Sequence, residues 1–284
     1  MRKNSVLKII GLGILLSFFL SAGRTFLPLS KAETGNATTE KIRIVATTSL
    51  IENIVEKIGK DKVAITTIVP AGMCPGHFDV KSEEIKEIRN ARVVIIHGWE
   101  KWIEKLIKST KNNLPIRTVK IEENWMLPDV QIRAAKEITK ILSEINPRKR
   151  EWYEKNLIAY EKEIQSLIKK IEKVKKDSSN VKVICASQQE EFLKWLGFKV
   201  VAAYGRPEEL TPREIIGIIK KAKSENVAMV VDNLQSGADA GLLIAREIGI
   251  SHIMLTNFPL GGSYLDSLKD NINKIGQILE WQKL

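Results

Sequence analysis

Apolar and polar positions along this chain switch between two periods, and the switching lays out alternating strands and helices. Ile42-Arg43-Ile44-Val45-Ala46 and Val63 to Val69 read as strands, with apolar residues at helical spacing from Ser49 to Ile58 between them. A helix is predicted over Glu83 to Arg89, capped by Ser82, with Ile85 and Ile88 facing inward. Arg92-Val93-Val94-Ile95-Ile96 is the unbroken apolar run of a strand covered on both faces. Ile116 to Ile121 reads as a fourth strand, and Val130 to Ile145 as a helix stopping ahead of Asn146-Pro147.

From Arg148 to Lys176 there is neither Gly nor Pro, and Tyr153, Leu157, Tyr160, Ile164, Leu167, Ile168, Ile171 and Val174 recur at three- and four-residue steps. This predicts one amphipathic helix of roughly 28 residues, about 40 Å long. A charged coiled-coil arm is the competing reading, but the stripe is irregular for heptads. Beyond it the rhythm restarts. Val181 to Cys185, Lys199 to Val201, Ala228 to Val231 and His252 to Leu255 read as strands, and helices run through Trp195-Leu196, from Ala240 to Ile248 and from Tyr264 to Leu279. Thr211-Pro212-Arg213-Glu214 is a capping box with Pro at the first helical position, opening a helix to Lys223. The predicted fold class is α/β: two Rossmann-like lobes joined by one long α-helix, with a ligand crevice between the lobes at the carboxyl ends of the strands.

The boundaries follow. Residues 1–32 read as a signal peptide or N-terminal anchor: a basic start, an apolar run from Ile9 to Ala22, and Ser30-Lys31-Ala32 as a cleavage site. Residues 33–40 read as a flexible leader, 41–147 as an N-terminal α/β lobe, 148–177 as the linker helix and 178–284 as a C-terminal α/β lobe, each lobe with its own core. The expected location is the periplasmic or extracellular face of the cell membrane. The two cysteines, Cys74 and Cys185, make no disulfide framework, and none lies near the apolar run to carry a lipid. A net charge of +11 comes mainly from lysines spread over helical faces, which fits a solvated surface facing anionic lipid better than nucleic acid.

The candidate chemistry sits on loops. Cys74-Pro75-Gly76-His77-Phe78-Asp79 follows a strand, so a thiol and an imidazole can reach one metal ion or act as nucleophile and base; a turn with a buried Cys and a surface His is the plain alternative. His97 ends the third strand, as a ligand or as a partner of one. Cys185 at a strand end reads as a small buried hydrophobe, and His252 opens a strand away from the crevice. No dinucleotide or phosphate loop is present, and no acidic orienter accompanies Cys74 and His77, so a hydrolytic enzyme is a minor alternative, as is an adhesin.

Several motifs in order resemble one family. Val45-Ala46-Thr47-Thr48-Ser49-Leu50-Ile51, Ile58-Gly59-Lys60-Asp61-Lys62-Val63, Pro70-Ala71-Gly72 with Pro75-Gly76-His77-Phe78-Asp79, and Ala91 to Gly98 with Trp102 are similar to the cluster A-I solute-binding proteins of metal ABC transporters, the zinc- and manganese-binding components. The resemblance implies a non-enzymatic, membrane-proximal monomer that captures a transition-metal ion and delivers it to an ABC-transporter membrane permease. It carries a metal-ligand role onto His77. The family's other ligand positions fall on Asn124, on Ala186-Ser187-Gln188-Gln189 and on Asn257, all departures, because neutral amides are poor ligands for such ions. Cys74, His97 and Cys185 are the candidate local replacements, a Cys/His set favouring a soft or borderline ion such as Zn²⁺ or Cu(I) over Mn²⁺. Trp99, Trp125, Tyr204, Arg206, Glu208, Asp232, Asn233 and Gln235, with Asn124, Gln188, Gln189 and Asn257, form a second set suited to a metal complex or small anionic ligand; an Arg206 ion pair with Glu208 or Asp232 is the structural alternative.

Overall fold

Val93-Val94-Ile95-Ile96 is apolar throughout because all four side chains are buried in an inner strand of a parallel sheet. The computed structural model describes residues 41–73, 75, 78, 81–100, 102, 103, 106 and 116–281. The signal, anchor and leader expectations on residues 1–40 fall outside the described residues, as do Cys74 and His77. The first sheet joins β1 (Ile42–Ala46), β2 (Val63–Thr67), β3 (Val93–Ile96) and β4 (Ile116–Thr118) in the order β2-β1-β3-β4. The second joins β5 (Lys182–Ala186), β6 (Lys199–Tyr204), β7 (Met229–Asn233) and β8 (Ser251–Leu255) in the order β6-β5-β7-β8. Every pairing is parallel. All strands in each sheet therefore deliver their following loops to one edge.

Helices α1 (Ser49–Gly59), α2 (Ser82–Asn90) and α3 (Pro128–Ile145) belong to the first half; α5 (Glu190–Trp195), α6 (Pro212–Glu225), α7 (Asp239–Ile248) and α8 (Tyr264–Trp281) belong to the second. Between them runs α4 (Arg150–Ser178), 29 residues long. Its buried Tyr153, Asn156, Tyr160, Ile164, Leu167 and Ile171 repeat at three- and four-residue steps, and that stripe packs against α1, α3 and α8. The helix ends where Asn180 turns left-handed at φ 67°. The capping box on α6 is present, with Glu214 N–H donating to Thr211 Oγ1 at 3.3 Å and Thr211 N–H donating to Glu214 Oε2 at 2.7 Å. At α2 the cap is Lys81, whose N–H donates to Glu84 Oε2 at 2.7 Å, so Ser82 is the first helical residue and not the cap.

The lobes do not have separate main cores. One apolar cluster runs from Ile44 and Ile51 through Tyr160 and Ile164 of α4 to Val183 and Leu268. Among the described residues, the outer faces of the two sheets carry smaller clusters of their own, around Ile88 and Ile96 and around Ile184 and Ile244. The linker helix is thus core to both halves. Tyr264 adds two polar ties, its N–H to Asn53 Oδ1 at 2.7 Å and its hydroxyl to the Met126 carbonyl at 3.1 Å.

Candidate cargo site between the lobes

Loops from both sheets meet around a cavity of about 540 Å³. The first half contributes His97, Trp99, Asn124 and Trp125, and the second contributes Gln188, Arg206, Asn233, Gln235 and Asn257. Pro75, which lies between Cys74 and His77 in sequence, is also in the lining.

The first wall is built around His97. Gly98 takes φ 105°, and a Cβ there would sit 2.7 Å from Thr118 Cγ2, so only glycine makes this turn. The turn folds buried Glu100 back on the loop, where its carboxylate accepts from His97 N–H at 3.0 Å, from Gly98 N–H at 2.7 Å and from the Thr47 hydroxyl. The His97 ring stacks on Trp99, centroids 5.3 Å apart, and meets Trp125 edge-on at 4.2 Å. Its Nε2 lies 2.7 Å from Thr48 Oγ1, while Nδ1 is buried with no partner. Burial lowers the imidazole pKa to about 4, against the opposing pull of Glu100, so the ring is neutral at ordinary pH. A neutral ring carries one N–H. When Nε2–H donates to Thr48, the Nδ1 lone pair is left unspent.

The second wall is made of amides that largely satisfy one another. The Gln188 carbonyl accepts from Asn257 Nδ2 within the second half and from Asn124 Nδ2 of the first, each at 2.9 Å, and Asn124 N–H donates to Glu191 Oε2 at 2.7 Å, so the two Asn124 bonds cross between the lobes. Gln189 Nε2 donates to Asn233 Oδ1 at 3.0 Å and Asn257 Oδ1 at 2.9 Å, and Gln235 Oε1 accepts from Asn257 N–H at 3.1 Å. Two side-chain oxygens, Gln188 Oε1 and Gln189 Oε1, are buried without a partner.

Four expected pocket residues are placed elsewhere. Gln189 is fully buried behind the wall and acts as the hub of the amide network, outside the lining. Glu208 sits in a short turn, Pro207–Glu209, beyond it. Tyr204 and Asp232 are buried in the second half, where the Tyr204 hydroxyl donates to one Asp232 oxygen and His252 Nε2 lies 2.8 Å from the other. Burial makes Asp232 seek these two partners, and it does not line the cavity. Cys185 is fully buried, and desolvation pushes its thiol up to about 12, so it is an inert core residue. Among the described residues no three His, Cys, Asp or Glu side chains cluster closely enough to hold a metal ion.

Sequence reading missed Thr48, Glu100 and an acidic contribution to the lining. Glu122, Glu123, Glu190 and Glu191 all face the cavity. The signal was available: one Glu doublet immediately precedes Asn124, and the other immediately follows Gln189.

Two parallel sheets bridged by a long helix, with a polar cavity at their facing loop edges, define a two-lobed substrate-binding protein. Residues 44–278 match the family described as "ZnuA: Zinc-uptake complex component A periplasmic", and the chain belongs to that family. It is the extracytoplasmic substrate-binding component of a metal ABC transporter, not an enzyme, and its partner is a membrane permease. It is 29% identical to the "Iron ABC transporter substrate-binding lipoprotein MtsA" of Streptococcus pyogenes serotype M1, covering 94% of this chain and 97% of that protein. It is 26% identical to the "Manganese ABC transporter substrate-binding lipoprotein PsaA" of Streptococcus mitis, covering 94% and 98%. The fold matches a crystal structure of ZnuA with TM-score 0.74 and 21% identity, over 84% of this chain and 99% of that one. A Cd-bound periplasmic metal binding protein from candidatus liberibacter asiaticus matches with TM-score 0.74 and 21% identity, over 84% and 100%.

Proposed function

We propose that the interlobe cavity holds a divalent transition-metal cation, zinc in preference to manganese, for delivery to the permease. The observation that carries this is the buried, neutral, unpartnered Nδ1 of His97 at the cavity. An imidazole nitrogen kept dry and unspent is a prepared ligand, and its lone pair is exposed in the tautomer in which Nε2–H donates to Thr48 Oγ1, 2.7 Å away. Charge points the same way. The chain carries +11 overall, yet the cavity lining has four Glu against Arg206. Glu123 and Glu190 pair outward with Arg133 at 2.8 Å and Lys194 at 2.7 Å, and Glu122 and Glu191 leave the mouth acidic, which concentrates cations.

His77 and Cys74 complete the proposed ligand set, with Pro75 between them already in the lining. Thiolate and imidazole favour zinc over manganese, which prefers carboxylate and water oxygens. Gln188 Oε1 offers only a neutral oxygen. Calorimetric titration with Zn²⁺ and Mn²⁺ tests the reading: Zn²⁺ binds more tightly, and His77→Ala, Cys74→Ser and His97→Ala each weaken it. Tight Mn²⁺ binding unmoved by all three substitutions would overturn it.

A second reading rests on volume. A cavity of about 540 Å³ far exceeds one ion, given about 30 Å³ for a water molecule in the liquid, and Arg206 could pair with the carboxylate of a chelator. Under that reading, added citrate raises the affinity for the metal instead of competing for it.

A further inference from the structure

A second groove, of about 340 Å³, lies at the opposite edge of the first sheet, where β1 and β3 begin and α3 ends. Lys41, Arg43 and Arg92 line it with Asn90 and Asn146, and no carboxylate does among the described lining residues. Arg43 is held in place, its Nε donating to the Asn90 carbonyl at 2.9 Å and its own carbonyl accepting from Arg92 N–H at 2.7 Å. Of the nearby carboxylates, Asp61 pairs with Lys62 at 2.6 Å and also feels the charge of Lys41, and Glu144 lies 3.8 Å from Arg117. Arg148, Lys149 and Arg150 follow Asn146 in sequence and add to the positive charge.

Lys41, the first described residue and part of this groove, directly follows in sequence the export segment and leader read above. The nine residue steps from residue 32 to Lys41 span at most about 32 Å. The relatives named above are lipoproteins, whereas residues 1–40 contain no Cys, the residue that carries such a lipid. Stable membrane attachment takes two signals, and a polybasic patch supplies one of them. We infer that this groove docks the phosphate headgroups of an anionic bilayer, retaining the protein at the membrane by its amino edge with the cargo cavity turned outward.

Sedimentation of the full chain with phosphatidylcholine vesicles, with and without phosphatidylglycerol, tests this. Binding rises with phosphatidylglycerol and falls with salt. Each basic residue near an anionic surface is worth about fivefold, so Lys41→Gln with Arg92→Gln lowers binding to the anionic vesicles about 25-fold, and Lys41→Gln alone about fivefold. Binding to pure phosphatidylcholine stays unchanged. Lys220→Gln with Lys221→Gln, on α6 in the other half, stays within about twofold because distant charges are screened. An equal loss in that control, or no preference for anionic vesicles, overturns the inference. So does release from the vesicles by millimolar inorganic phosphate, which marks a free-phosphate pocket instead.

Discussion

The two walls of the cargo cavity are built from the same kind of element, a loop at the carboxyl end of a parallel strand, yet they use their polar groups in opposite ways. On the first wall, Glu100 and Thr48 fix the His97 loop and ring and leave Nδ1 with nothing to bind. On the second, the amides of Asn233 and Asn257 and the Gln189 Nε2 are spent on one another or on the Gln188 backbone, to which Asn124 reaches across from the first half, and only the neutral oxygens Gln188 Oε1 and Gln189 Oε1 are left over among the described residues. Polar residues at a cavity are therefore not equivalent. A group satisfied inside the protein stabilises the wall, and an unsatisfied buried one is paid for elsewhere and awaits a partner.

The sharpest way to break the second wall is from behind. A Cβ on Gly241 would lie 2.1 Å from Asp232 Oδ2 and 2.3 Å from the Tyr204 hydroxyl. Gly241→Ala should separate this buried group from its partners and cost about 3 kcal/mol or more, seen as a lower urea midpoint. His97 should dominate the acid response of the first wall. Its folded pKa, about 4, lies below an unfolded value near 6.5, so the unfolded chain binds more protons between those values. Its contribution is fully present above pH 6.5 and falls by about 3 kcal/mol as the pH drops to 4. Urea titrations of parent and His97→Gln across this window should show a steeper loss in the parent.

Metal affinity contrasts the walls directly. His97→Ala should weaken Zn²⁺ binding by about 10- to 100-fold, whereas Asn233→Ala should change it by less than about threefold; equal losses would erase the distinction drawn here. Asn257→Asp would convert an amide of the second wall into a carboxylate while keeping an oxygen for Gln189, and should raise Mn²⁺ affinity about tenfold. The smallest effect is expected at the seam. Asn124→Ala removes one interlobe bond and the bond to Met126 N–H, costing about 1 kcal/mol in thermal stability.

Much of this was legible in the sequence because it depends on neighbours along the chain. The apolar run at β3, the stripe on α4 and the Thr211 capping box are local signals, and each element formed within a few residues of its expected span. Strand ends were less legible. Ile68 and Val69 stay buried and bond to the carbonyls of Ala46 and Thr47 although β2 stops at Thr67, because apolar burial outlasts the strand.

Local pattern thus determined the order of strands and helices, the long linker and the loops that could carry chemistry. Tertiary structure alone decided which of those loop residues face the cavity. Tyr204 and Asp232, 28 residues apart, neutralise each other's polarity in the interior, while Thr48 reaches His97 across 49 residues and Asn124 reaches Gln188 across 64. The physical reason is satisfaction: a polar side chain turns toward whatever partner the fold brings near, and that partner is fixed by packing between distant segments, which no periodicity along the chain records.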